Sequence, residues 1–266
     1  MTPASDPRAL LRRAGLPEVP CQRISSGPMG DVFRAGAHVI KTQPDPPPDL
    51  YPAEAAGLDA LAATGVRAPA VRWRDPAGLI IDHLPPGPDD PDDLARQLAT
   101  LHATPAAAYG WPGPVFIGRF PLGAAPTTTD GRTFWAEHRL RPLWRATRQA
   151  LGPLADPTAR YIDRFDPPLE GPTLIHGDLW NGNVLMTPAG AALIDPSAWH
   201  GERAVDLAMM TLFGGFGPRF WQTYRRLCPI PPAVEAALPG YRLYFVLVHV
   251  HFFGAGYLDA VRRIIA

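Results

Sequence analysis

The segment "PPGPDDPDD" (85–93) constrains this chain more than any other. Proline fixes φ and lacks the backbone N–H, so such a run can enter neither a helix interior nor a central strand. It divides the chain, and the two sides read differently. Before it, "RISSGPMGDVFRAG" (23–36), "AHVIKT" (37–42), "VRAPAVRWRD" (66–75) and "AGLIIDHL" (77–84) carry β-type runs punctuated by glycine turns, with one Ala- and Leu-rich helix over 51–65. After it, Leu94, Leu98 and Leu101 recur at helical spacing, and "TFWAEHRLRPLWRATRQAL" (133–151) predicts a helix bent at Pro142. Further helices are expected over 202–213 and 241–263. The expected class is α+β in two lobes: a small β-rich lobe over residues 1–84 and a larger, mainly helical lobe over 85–266.

Charge and cysteine usage narrow the function classes. Acidic and basic side chains balance at 25 each, the isoelectric point is near 7.1, and no basic run points to nucleic acid or an anionic membrane surface. Cys21 and Cys228 are the only cysteines and have no metal-ligand spacing, which fits a reducing cytoplasm. The apolar run "YRLYFVLVHVHFF" (241–253) contains Arg242 and falls short of the roughly 20 residues of a membrane span. It reads as a buried helix.

One β-type patch interrupts the helical half: "TLIHGDLWNGNVLMTPAGAALIDP" (173–196). Pro188, Ala189 and Gly190 suit a three-residue hairpin loop whose last position needs positive φ. That loop sets Leu185 opposite Leu193, Val184 opposite Ile194 and Asn183 opposite Asp195. Opposite residues share a sheet face with Cβ atoms about 4.5–5.5 Å apart. An amide oxygen and a carboxylate then converge, both hard ligands of the kind Mg²⁺ takes beside substrate phosphates. Asp178 precedes Asn183 by five residues, in a loop made slim by Gly177 and Gly182. A carboxylate there can accept the proton of an attacking hydroxyl. Asp-x4-Asn followed by a hairpin ending in Asp is the arrangement of the kinase catalytic loop. The bland alternative is a polar turn followed by an Asp-Pro turn, and His-Gly-Asp alone would not decide between them.

Lys41 bears on that choice. It is the only lysine among 25 cationic side chains, all the others being arginine. A compact ammonium on a thin stem fits a crowded phosphate pocket better than a planar guanidinium fork.

With these residues in view the chain resembles the fructosamine kinase (ketosamine 3-kinase) family, within the broader aminoglycoside-phosphotransferase and protein-kinase-like fold. "LIHGDLWNGNVL", "LIDPSAWHGERAVDLAMMTLFGGF" and "YRLYFVLVHVHFFGAGYL" carry the resemblance, which runs from about residue 22 to 265. It implies ATP and Mg²⁺, with Asp178 as catalytic base and Asn183 and Asp195 as metal ligands. It implies Lys41 as the strand lysine that binds phosphates beneath a loop containing Gly27 and Gly30, with Glu54 as its helix partner. It implies Asp82, His83 and Leu84 as the interlobe hinge that holds adenine, and Asp206 as an acid that steadies the catalytic loop. Pro28 and Val115 depart from the family pattern.

Other residues have two readings. His102 on its Leu-lined helix is expected to be a packed, hydrogen-bonded histidine. His249 and His251, two apart on a helix, face different ways and do not form a shared metal site. Trp180 and Trp199 are read either as core packing or, with His200, as a wall stacking on a sugar. The expected substrate is a small-molecule or protein-bound glycated amine; an aminoglycoside or choline kinase and a non-catalytic nucleotide-binding module are the alternatives.

Overall fold

The structure is a computed structural model that describes residues 6–123 and 127–266. The first lobe is built on an antiparallel sheet of strands β1 (Gln22–Gly27), β2 (Gly30–Ala35), β3 (His38–Thr42), β4 (Val71–Asp75) and β5 (Gly78–Asp82), in the order β1-β2-β3-β5-β4. Both faces are covered. Helix α1 (Pro7–Arg13), capped by the Asp6 side chain, lays Leu10 and Leu11 against Phe33, Ile40 and Ile80. Helix α2 (Leu50–Ala63) packs Tyr51, Ala55 and Leu58 against Leu79 and Ile81 on the other face. Strand alternation decides what each face receives. Lys41 pairs in register with Leu79, so it shares the α2 side of the sheet.

The second lobe is mainly helical. Helix α3 (Pro91–His102) starts where the proline run ends, with the Asp90 carboxylate accepting the Asp93 N–H, and buries Leu94, Leu98 and Leu101. A short hairpin, β6 (Phe116–Ile117) and β7 (Phe120–Pro121), precedes a long helical run. That run begins as α4 (Gly131–Thr133), widens into a π-helical segment over Phe134–Leu140 and continues as α5 (Arg141–Leu151). The irregularity lies just before Pro142 rather than as a bend at it. Pro142 falls in the first turn of α5, where a missing N–H is tolerated, and the Arg141 N–H reaches back to the Ala136 carbonyl in the wider π register.

Helix α6 (Ala155–Arg164) leads to β8 (Thr173–Ile175), then to the hairpin β9 (Val184–Thr187) and β10 (Gly190–Leu193), and to β11 (Trp199–Gly201), which pairs with β8. Helices α7 (Ala204–Leu212), α8 (Pro218–Leu227), α9 (Pro232–Phe253) and α10 (Leu258–Ile265) complete the lobe. The run from Pro232 to Ile265 is long and apolar enough to cross a membrane by length and composition. In the fold, however, α9 places Leu243 to Val248 and Val250 inside the main core cluster, and Gly254 at φ 76° ends it before α10.

The β9–β10 register differs by one residue from the sequence expectation. Leu193 pairs with Val184 and Gly190 with Thr187, leaving a two-residue turn of Pro188 and Ala189. Asn183 and Asp195 therefore do not form an opposed pair. The Thr187 hydroxyl is the reason: it accepts the Ala189 N–H at 3.1 Å and donates to the Gly190 carbonyl at 2.7 Å, drawing Gly190 into the strand. Gly190 keeps φ 108°, and an added Cβ would lie 2.1 Å from Asp93 Oδ2, the atom that accepts the Ala191 N–H. Gly190→Ala should lower unfolding stability by about 1–3 kcal/mol through strain at that φ. Urea denaturation checks this, and an unchanged midpoint would show that the turn relaxes freely.

Candidate active site

The two lobes meet around a cavity of about 420 Å³. Gly27 and Gly30 line it from the β1–β2 hairpin, Lys41 from β3 and Glu54 from α2. Asp178, Trp180, Asn183 and Asp195 line it from the second lobe. The glycine hairpin is tight: Gly27 pairs with Gly30 around Pro28 and Met29. Gly30 sits at φ 118°, where a Cβ would come within 2.7 Å of the Thr42 carbonyl, so only glycine fits.

Lys41 is the cation at the centre. Its Nζ lies 2.6 Å from Glu54 Oε1 and 3.0 Å from Asp195 Oδ1. Burial alone would lower the ammonium pKa, but the Asp195 and Glu54 charges outweigh it and hold the group above its ordinary value. Lys41 therefore stays charged. The Asp195 contact crosses between the lobes.

The loop 176–183, which carries Asp178 and Asn183, is held from behind by Asp206 on α7. This fully buried carboxylate accepts the His176 and Gly177 N–H groups, each at 2.8 Å, and lies 3.2 Å from His102 Nε2. His102 Nδ1 in turn meets the Tyr224 hydroxyl at 2.8 Å, which makes it the packed, bonded histidine expected. Gly177 adopts φ 79°, and a Cβ there would overlap the Ser197 carbonyl at 2.0 Å. His176 joins both sides of the site: its Nε2 faces the Ile194 carbonyl at 2.8 Å, and its Nδ1 accepts the Asp178 N–H at 3.3 Å. Burial lowers the His176 pKa, which suits this neutral tautomer.

Asp178 and Asn183 are linked directly. The Asn183 amide nitrogen donates to the Asp178 backbone carbonyl at 2.7 Å. Pinning Nδ2 there leaves the amide oxygen uncommitted. Asp195 stands at φ 55°, a left-handed conformation that aspartate tolerates better than most side chains. Asp178 itself is pushed up to about 7, first by burial and then by the Asp195 charge. An amide oxygen, one carboxylate and room for phosphates fit a hard cation such as Mg²⁺. Among the described residues there is no cluster of three or more His, Cys, Asp or Glu side chains arranged for a metal, so this set suits a cation that arrives with phosphates rather than an all-protein cage.

Several expected residues lie elsewhere. Trp199 is 1% exposed: β11 turns it inward, where the Arg139 guanidinium stacks 4.2 Å from its ring centre and Phe134 lies at 5.3 Å. His200 packs edge-on against Trp111 at 5.3 Å, away from the cavity lining. Of the proposed aromatic wall only Trp180 lines the cavity, 44% exposed. None of Asp82, His83 and Leu84 lines it. Asp82 is held by Arg72 through two hydrogen bonds of 2.6 Å, and the His83 N–H donates to the Ala37 carbonyl at 2.8 Å. Conversely, sequence reasoning passed over Tyr51, Ser197 and Arg119, all of which line the cavity.

A β-sheet lobe and a helical lobe closing on a lysine–carboxylate pair, with an Asp-x4-Asn loop beneath, define the class of ATP-dependent phosphotransferases with a kinase-like fold. Within that class the chain belongs to the fructosamine kinase family, whose model matches residues 23–266. A probable ketoamine kinase of Thermus thermophilus is 48% identical over 264 residues, covering 98% of this chain and 99% of its own. A chloroplastic protein-ribulosamine 3-kinase of rice is 30% identical over 250 residues, 87% of this chain and 72% of its own. The crystal structure of a candidate fructosamine-3-kinase from Thermobifida fusca superposes with a TM-score of 0.86 at 31% identity, over 98% of this chain and 99% of that one.

Asp206 offers a test of the scaffold. Asp206→Ala would leave two buried N–H groups and His102 without their acceptor, at a cost on the order of 3 kcal/mol. Urea unfolding should register that loss, with slowed turnover in the folded fraction. Wild-type stability would mean that the loop is held by other contacts.

Proposed function

We propose that this chain transfers the γ-phosphoryl group of ATP to a sugar hydroxyl of a ketosamine, the fructosamine or ribulosamine adduct of an amine. The observation that carries the reading is the convergence of Asp178, Asn183, Asp195 and Lys41 on one cavity in a member of the fructosamine kinase family. Lys41 binds the nucleotide phosphates, and Glu54 keeps its ammonium in place. Asn183 and Asp195 are the residues that would hold Mg²⁺, which supplies charge neutralisation at the phosphates. Asp178 orients the acceptor hydroxyl and accepts its proton. A base pushed up to about 7 is matched to gaining and losing a proton near neutrality.

The acceptor side is argued from Trp180 and from the relatives. Trp180 follows Asp178 by two residues and presents an exposed indole at the cavity, a surface suited to the apolar face of a sugar chain. The name of the rice relative points to ribulosamines on proteins and to the 3-hydroxyl, and we extend both to this chain.

Incubation with Mg²⁺–ATP and a glycated lysine or ribulosamine should give a phosphosugar adduct by mass spectrometry. Asp178→Asn should retain nucleotide binding and lose about 10²–10⁴ in kcat. Brisk transfer to an aminoglycoside or choline, with none to glycated amines, would overturn the acceptor assignment. Tight ATP binding without transfer to any acceptor would overturn the enzyme reading.

A further inference from the structure

The β6–β7 hairpin reaches out of the second lobe and ends at the cavity. It is tied down at several points. The Ser197 hydroxyl, two residues past Asp195, donates to the Phe116 carbonyl at 2.6 Å. Ile117 is buried, Phe120 packs edge-on to His251 at 4.9 Å, and the Leu122 N–H closes the base on the Val115 carbonyl at 2.8 Å. At the tip, Gly118 adopts φ 57°, and a Cβ there would lie 3.2 Å from Met29 Sδ in the glycine hairpin. Arg119 follows. Its Nη2 donates to the Asp45 carbonyl at 3.1 Å, four residues beyond Lys41, and the side chain lines the cavity.

The charge at Arg119 is unspent. Lys41 is flanked by two carboxylates, whereas among the described residues Arg119 has no carboxylate within ion-pair distance and meets only that one carbonyl. This contact uses a single guanidinium N–H and leaves the planar fork available. Such a fork matches the oxygens of a phosphoryl group and can bind them in pairs. In phosphoryl transfer, charge spreads over the equatorial oxygens of the group in flight, and a cation set beforehand at that point stabilises the transition state without having to reorganise.

We propose that Arg119 is a catalytic residue that contacts the γ-phosphoryl group in flight, an arginine supplied by the second lobe of the same chain. This rests on the phosphotransferase reading above. Lys41 then holds the nucleotide phosphates from the first lobe while Arg119, carried by the second-lobe hairpin, meets the transferred group.

The experiment compares wild type, Arg119→Lys and Arg119→Ala by calorimetry with Mg²⁺–ADP, with and without aluminium fluoride as a planar stand-in for the phosphoryl group, alongside kcat. Arg119→Ala should lose about 10²–10³ in kcat and a similar factor in affinity for ADP–aluminium fluoride. ADP affinity should change by less than about twofold, since the ground state lacks the group that Arg119 contacts. Added guanidinium should restore part of the Arg119→Ala turnover, and Arg119→Lys should fall between. A raised acceptor KM at wild-type kcat would overturn the proposal and assign Arg119 to the acceptor. Equal losses of ADP and ADP–aluminium fluoride affinity, with a lower Tm, would also overturn it and leave an interlobe tie. If wild type transfers nothing to glycated amines the acceptor reading falls, yet the aluminium fluoride comparison still decides Arg119.

Discussion

Lys41, held between Glu54 and Asp195, joins three parts of the molecule that the chain delivers separately. Strand alternation in β3 turns the lysine toward α2, α2 brings Glu54 to meet it, and the loop after β10 brings Asp195 up from the other lobe. A buried ammonium is tolerable only with such partners, and two carboxylates this close are tolerable only with the ammonium. The arrangement explains why an arginine-rich chain keeps one lysine. A compact charge fits between two carboxylates about 3 Å away and leaves open the cavity space that the proposed function assigns to phosphate oxygens. A guanidinium fork would fill that space.

A second network keeps the lower half of the site in register. Asp206 gathers the backbone of His176 and Gly177 and the ring of His102, which passes the constraint to Tyr224. Arg203 donates to the same tyrosine at 3.2 Å and pairs with Glu170 at 2.7 Å. The loop carrying Asp178 thus rests on buried polar groups with partners on several helices. Asp178, partly buried, and Trp180, exposed, are left to face the cavity.

Much of this was legible in the sequence, for particular reasons. The proline run was legible as a break because no regular element can pass through it, and β5 ends at Asp82 while α3 begins only at Pro91. Asp178, Asn183 and Asp195 were legible as a set because their types and spacing match one chemistry. The hairpin register was not, because Gly190 with positive φ serves equally as the last loop residue or the first strand residue, and only the Thr187 hydroxyl decides. The site survives that one-residue shift. Asn183 lies in a short 3-10 turn and Asp195 in a left-handed bend, so neither is aimed by the ladder. The sequence could not choose between core and cavity wall for Trp199, because its burial depends on β8 and Arg139, neither adjacent in sequence. Helix α1 left too brief a periodic signal in seven residues, and Arg119 looked like any other arginine in a chain that has many.

The most direct test of this account is a crystal structure with Mg²⁺ and a non-hydrolysable ATP analogue. The account predicts a metal ion about 2.1 Å from the Asn183 amide oxygen and an Asp195 carboxylate oxygen. Lys41 should still be paired with Glu54 and turned from Asp195 toward phosphate oxygens. A metal bound through other residues, or a nucleotide whose phosphates lie outside the cavity between Lys41 and Asp178, would contradict it.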